Sequence, residues 1–146
     1  MAEFSRYADV QWQGGLMDGK GSARAGTGAF TLPVTFPSRI GESGGQTSPE
    51  ELIAAAHASC FAMAFNATLG RRGGKAERTE VRATVTADKG ESGIKIVSSR
   101  LELTVSGLSG IDPAQLADVA RQAEGGCPVS NALRNNLQIE VTARVS

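Results

Sequence analysis

Two cysteines and one histidine hold most of the reactive chemistry this chain can offer. Cys60 lies in the apolar stretch SPEELIAAAHASCFAMAF, three residues after His57, the only histidine, and Cys127 stands in GGCPVS. A thiolate rather than a thiol is the nucleophile, so such residues can do nucleophilic or redox work where their surroundings favour the charged form. Taken alone, Cys60 is better read as core filling, because free cysteine is among the most buried residue types and behaves as a small hydrophobe. His57, at i−3, lies on a neighbouring helix face, and a lone helical histidine is usually just a hydrogen-bonded side chain.

Other chemistries are poorly served. There is no C-x-x-C, and two cysteines with one histidine do not make a zinc site of the usual kind. A papain-like arrangement fails because His57 is locked on the same helix as Cys60. The glycine-rich GGLMDGKGSARAG has neither the spacing nor the following helix of a phosphate-binding loop. Cys127 precedes Pro128 and so suits the cap of a short helix, where the positive dipole end favours thiolate, unless it merely replaces a polar cap. Arg39 and Glu50 are ambiguous on their own, since loop arginines and first-turn glutamates are commonly just solvated.

The elements that must position these residues are legible in part. Phe4 to Gln13 alternates as a strand does, with turn chemistry behind it in Gly14-Gly15 and Asp18-Gly19. Ala29 to Phe36 alternates again, and Pro33 assigns it to a sheet edge. PSRIGESGGQT, carrying Arg39, reads as a loop. Ser48 as N-cap, Pro49 behind it and Glu51 at the third position predict a capping box and a helix running to about Leu69. Its expected stripe is Ile53, Ala56, Cys60, Met63 and Ala67, and its nearly all-round apolar character predicts burial on most sides. Val81 to Lys89 and Ile94 to Ser106 form a hairpin, Asp112 and Pro113 open a second helix, a third starts at Cys127, and Ile139 to Val145 is a closing strand. The order β-β-β-α-β-β-α-α-β predicts an α+β domain, residues 1–146, with a mostly antiparallel sheet.

Composition narrows the class of function. The chain has 146 residues, 40% of them apolar and 21% charged, as expected for one globular domain. Lys plus Arg and Asp plus Glu are equal at 15 each, which gives no footprint for nucleic acid or an anionic membrane. MAEFSRYADV has no signal-peptide pattern, and the apolar run Leu52 to Phe65 is too short to span a bilayer, so a cytoplasmic protein is expected. In that reducing compartment two cysteines suggest a buried thiol or redox chemistry rather than a structural disulfide.

The whole chain resembles the OsmC/Ohr family, the osmotically inducible protein C and organic hydroperoxide resistance proteins. TSPEELIAAAHASCFAMAF and GGCPVSNAL carry the resemblance, and AAHASC with an arginine at Arg39 is similar to the OsmC branch rather than the Ohr branch. The resemblance implies mostly antiparallel sheets around long central helices in an intertwined homodimer, with active sites at the subunit interface. It implies a peroxidase acting on organic hydroperoxides without a bound cofactor or metal. Cys60 would be the peroxidatic cysteine, Cys127 the resolving one, Arg39 the anion-stabilising residue and Glu50 the active-site glutamate. An external dithiol, plausibly of lipoyl type, would reset the enzyme, and Phe and Met side chains near Cys60 would floor an apolar pocket. The rival reading is a non-catalytic dimeric binding protein on the same fold, with Cys60 a packed thiol.

Helix geometry adds an expectation about Glu50. Ten residues at about 1.5 Å each place it roughly 15 Å along the axis from Cys60 of its own chain. A site shared between subunits, in which Glu50 orients Arg39 across the interface, is therefore expected. The alternative is a path that returns Arg39 to Glu50 within one chain.

Overall fold

Alternation begins later than expected. In the computed structural model, which describes residues 2–146, β1 (Ala8–Gln13) pairs antiparallel with β2 (Lys20–Ala25), and β2 with β3 (Thr31–Val34). β3, with Pro33, is an edge strand as expected. Trp12 stands opposite Gly21, and a Cβ there would lie 2.5 Å from the indole ring, so glycine is what lets the ring settle against β2.

Two compact units make up the chain, Met1–Leu52 and Ile53–Ser146. The first holds this sheet and a short helix, α1 (Phe36–Ile40), where a loop was expected. Thr35 caps it, its side chain accepting from Ser38 N at 3.2 Å, and Pro37 stands in its first turn, so local capping outweighs the glycines and serines that follow. Gly44 (φ 58°) and Gly45 (φ 82°) supply the left-handed backbone that turns the chain back toward Ser48.

α2 (Pro49–Arg71) starts where the sequence puts it, with Glu51 N donating to Ser48 Oγ at 3.1 Å. The capping box is only half made. The Glu51 carboxylate accepts from Thr47 Oγ1 at 2.8 Å instead of reaching back to Ser48.

The second unit packs the rest of α2 with a second sheet. β4 (Arg78–Gly90) and β5 (Gly93–Ser106) form the expected hairpin, and β6 (Gln138–Val145) lies parallel to β5. A parallel neighbour needs a crossover, supplied by a 3-10 turn (Pro113–Gln115), α3 (Leu116–Gly125) and α4 (Pro128–Leu133). Asp112 caps the turn, with Ala114 N donating to its Oδ1 at 2.9 Å. The register shifts between Thr86 and Ala87, leaving Val97 as the extra residue of a bulge. Beyond it Ser99, Leu101, Leu103 and Val105 all face inward and are buried.

The buried face of α2 differs from the expected stripe. His57, Phe61, Phe65, Thr68 and Leu69 are buried, whereas Ala56, Met63 and Ala67 are exposed, Met63 at 71%. A helix apolar nearly all round gives periodicity no way to choose a face, so the choice falls to the bulky rings that fill the core. Burial on most sides is likewise not found in the single chain. At 23 residues α2 is long and apolar enough, by length and composition, to cross a membrane, which the run Leu52 to Phe65 did not suggest. Its aromatic face nevertheless joins Leu101, Leu103, Val119 and Cys127 in one core, the behaviour of a core helix.

Candidate active site

The second unit brings both cysteines together. Cys60, half-buried on α2, packs against the core that contains the fully buried Cys127, and both are free thiols. Cys127 is the N-cap of α4, as its place before Pro128 predicts, and its Sγ accepts from Ser130 N at 3.5 Å. α4 has six residues, too few to build much of a macrodipole. Burial pushes the Cys60 thiol up, the Val129 backbone N–H pulls it down, and the neighbouring Cys127 raises it further, with a net upward shift. The immediate surroundings of Cys60 therefore favour thiol.

His57 is a hydrogen-bonded side chain, as a lone helical histidine usually is. It is fully buried, with Nδ1 2.6 Å from Ser99 Oγ on β5 and Nε2 2.7 Å from Ser130 Oγ on α4. Burial lowers its pKa, partly opposed by the charge of Glu124 on α3, so the ring is neutral, with one nitrogen donating and the other accepting. Arg134 approaches Glu124 Oε1 at 3.0 Å but off the hydrogen-bonding direction, which leaves that buried oxygen without an aligned donor. Neither serine was singled out in the sequence. Ser99 continues the inward alternation of Leu101, Leu103 and Val105 by one step, a signal that was there to be read.

The first unit places the other two expected residues together. Arg39 Nε donates to both Glu50 oxygens, at 3.0 and 3.2 Å, and Nη2 donates to Oε2 at 2.7 Å. Both side chains are largely covered. The bonds hold the Glu50 carboxyl below the usual carboxylate range and raise the Arg39 guanidinium still further. This corrects the expectation that Glu50 reaches Arg39 across an interface. The pair forms within one chain, because α1 and the Gly44-Gly45 turn fold Arg39 back over the start of α2.

Beside Arg39 the same unit opens an apolar hollow of about 350 Å³, walled by Val10, Trp12, Leu16, Val34, Phe36 and Leu52. Of the Phe and Met side chains expected beside Cys60, Phe61 and Phe65 are buried in the core and Met63 is exposed. No three His, Cys, Asp or Glu side chains among the described residues converge so as to hold a metal ion.

Comparison with known proteins places these features in a setting. A protein-family profile described as OsmC-like protein matches residues 41–142. Peroxiredoxin OsmC of Escherichia coli (strain K12) is 36% identical over 137 residues, covering 92% of this chain and 94% of that protein. An organic hydroperoxide resistance protein of Xanthomonas axonopodis pv. citri (strain 306) is 30% identical over 125 residues, covering 84% of this chain and 85% of that one. The crystal structure of an organic hydroperoxide resistance protein OsmC from Legionella pneumophila matches with a TM-score of 0.79 at 25% identity, covering 99% of this chain and 100% of that one. The α+β arrangement of helices with two small sheets is thus shared with solved proteins.

Proposed function

The chain belongs to the OsmC-like protein family, and from that premise we propose that it is a cysteine-based peroxidase reducing organic hydroperoxides, and less efficiently hydrogen peroxide. The observation that carries the reading is that two free thiols, Cys60 and Cys127, belong to one packed core of a single chain. The names of the relatives, a peroxiredoxin and organic hydroperoxide resistance proteins, support the same class.

The Cys60 thiolate attacks the peroxide oxygen distal to the organic group. The O–O bond breaks, the alcohol leaves after taking a proton, and Cys60 becomes a sulfenic acid. The Cys127 thiol then attacks that sulfur, water departs, and a disulfide forms before over-oxidation can occur. An external dithiol, plausibly lipoyl-like, returns both thiols by exchange and is itself oxidised to a disulfide.

Arg39 has the roles of stabilising the thiolate and offering donors to the peroxide oxygens, with Glu50 fixing its fork. The apolar hollow beside Arg39 suits the organic part of a hydroperoxide. We assign the working form to a homodimer in the cytoplasm, where a reducing milieu cycles such a pair. A dimer in which one chain's Arg39–Glu50 pair serves the partner's Cys60 reconciles the forked pair with the ~15 Å that separates Glu50 from Cys60 along one helix. A non-catalytic binding protein would leave the adjacent thiols without a purpose.

The test is consumption of tert-butyl and cumene hydroperoxide, against hydrogen peroxide, with dihydrolipoamide as reductant. Faster turnover of the organic peroxides is expected; no consumption of any of the three contradicts the reading.

A further inference from the structure

We propose that His57 is a positioning residue for both cysteines: by holding Ser130 it fixes the first turn of α4, which Cys127 caps and which lies against the helix that carries Cys60. The inference rests on the reading of Cys60 and Cys127 as a redox pair. The Ser130 N–H is directed at Cys127 Sγ at 3.5 Å, and the backbone of Val129, one residue before, favours the charged form of Cys60. Both belong to a helix of six residues, too short to hold its own geometry in water. The Ser130 hydroxyl, 2.7 Å from His57 Nε2, ties that turn to α2, the helix that carries Cys60. Ser99, 2.6 Å from Nδ1, fixes the other edge of the ring to the central strand β5.

None of the steps above uses His57, yet burying an imidazole is costly unless both nitrogens are satisfied. Here both are, by hydroxyls that rotate to suit either tautomer. The ring therefore works as a spacer between β5 and α4, with its neighbour three residues on, Cys60, as the beneficiary. The charged or titratable groups acting on this cluster are Glu124, whose field reaches His57, and Cys127, which faces Cys60. Cutting the tie should have two effects together. Cys60 loses the favourable influence of the Val129 backbone and with it some thiolate, and Cys127 loses its fixed place in the first turn of α4.

The experiment uses the full reduced chain and two readouts that need no peroxide. One is the pH dependence of Cys60 alkylation by iodoacetamide, followed by mass spectrometry. The other is the equilibrium of the Cys60–Cys127 disulfide with a dithiothreitol buffer. In Ser130→Ala the alkylation midpoint should rise by about half a unit, a roughly threefold loss of thiolate below it. The disulfide should weaken about tenfold, equivalent to ~30 mV. His57→Leu should move both in the same direction and at least as far. Should Ser130→Ala fail to fold, Ser99→Ala, which frees the opposite edge of the ring, is read by the same criteria. Both readouts unchanged in a folded variant overturn the proposal, even if the wild type consumes peroxide. A wild type that consumes no peroxide while the variants shift as stated defeats the peroxidase reading and upholds the positioning role.

Discussion

Arg39 and Glu50, on consecutive helices of one chain, meet side-on, so that a single guanidinium edge engages both oxygens of a single carboxylate. Such a fork fixes orientation as well as charge.

The fork sets a pH dependence whose sign is fixed. The folded-state pKa of Glu50 lies below the unfolded one. The stability it contributes is therefore complete above the ordinary carboxylate value of about 4.3 and is lost as pH falls through the lower folded value. Urea unfolding of wild type and Glu50→Gln should differ by a constant amount from neutral pH down to about pH 5, and the gap should shrink on further acidification. A gap that widens in acid would contradict the pairing. At neutral pH the same variant should lose about tenfold in kcat/KM, the equivalent of ~1.4 kcal/mol, because Arg39 is no longer held.

The apolar hollow predicts where selectivity resides. Trp12→Ala removes one wall, so KM for cumene hydroperoxide should rise about tenfold, matching the ~1.4 kcal/mol that partial exposure of an apolar ligand costs. Hydrogen peroxide, with no organic part, should be turned over as before. Equal losses for both peroxides would remove the hollow from the substrate path.

Mixed dimers decide which chain's Cys60 the pair serves. Cys60→Ser is expected to be inactive, and Glu50→Ala to keep at most about a tenth of the activity. In a verified heterodimer, the Glu50→Ala chain keeps its Cys60 and meets an intact Arg39–Glu50 pair on its partner, so about one working site should return. Failure to regain activity would place all four residues of a site in one chain.

What could be read in advance was mostly local. Ser48, Asp112 and Cys127 announce their helix starts, since a capping side chain acts within three residues of itself. α1 escaped notice because Thr35 and Pro37 are brief signals beside a run of glycines and serines. The face of α2 escaped because alanines and methionine are as apolar as the phenylalanines that won the core. Two-cysteine redox chemistry was one possibility in the residues themselves, but the separate roles of Cys60 and Cys127 came only through resemblance. Their place in one core depends on a parallel crossover from β5 through α3 and α4, which no local pattern encodes. The hollow and the serines at His57 are made the same way, by residues far apart in sequence.

The claim that Cys60 and Cys127 are one redox pair is tested most directly by adding one equivalent of cumene hydroperoxide to the reduced protein and mapping the products by mass spectrometry. Wild type should yield an intrachain Cys60–Cys127 disulfide. Cys127→Ser should consume about one peroxide per chain and stop with an oxidised Cys60, and Cys60→Ser should consume none. Equal rates of peroxide loss in wild type and Cys60→Ser, or a wild-type product linked only between chains, would contradict the account.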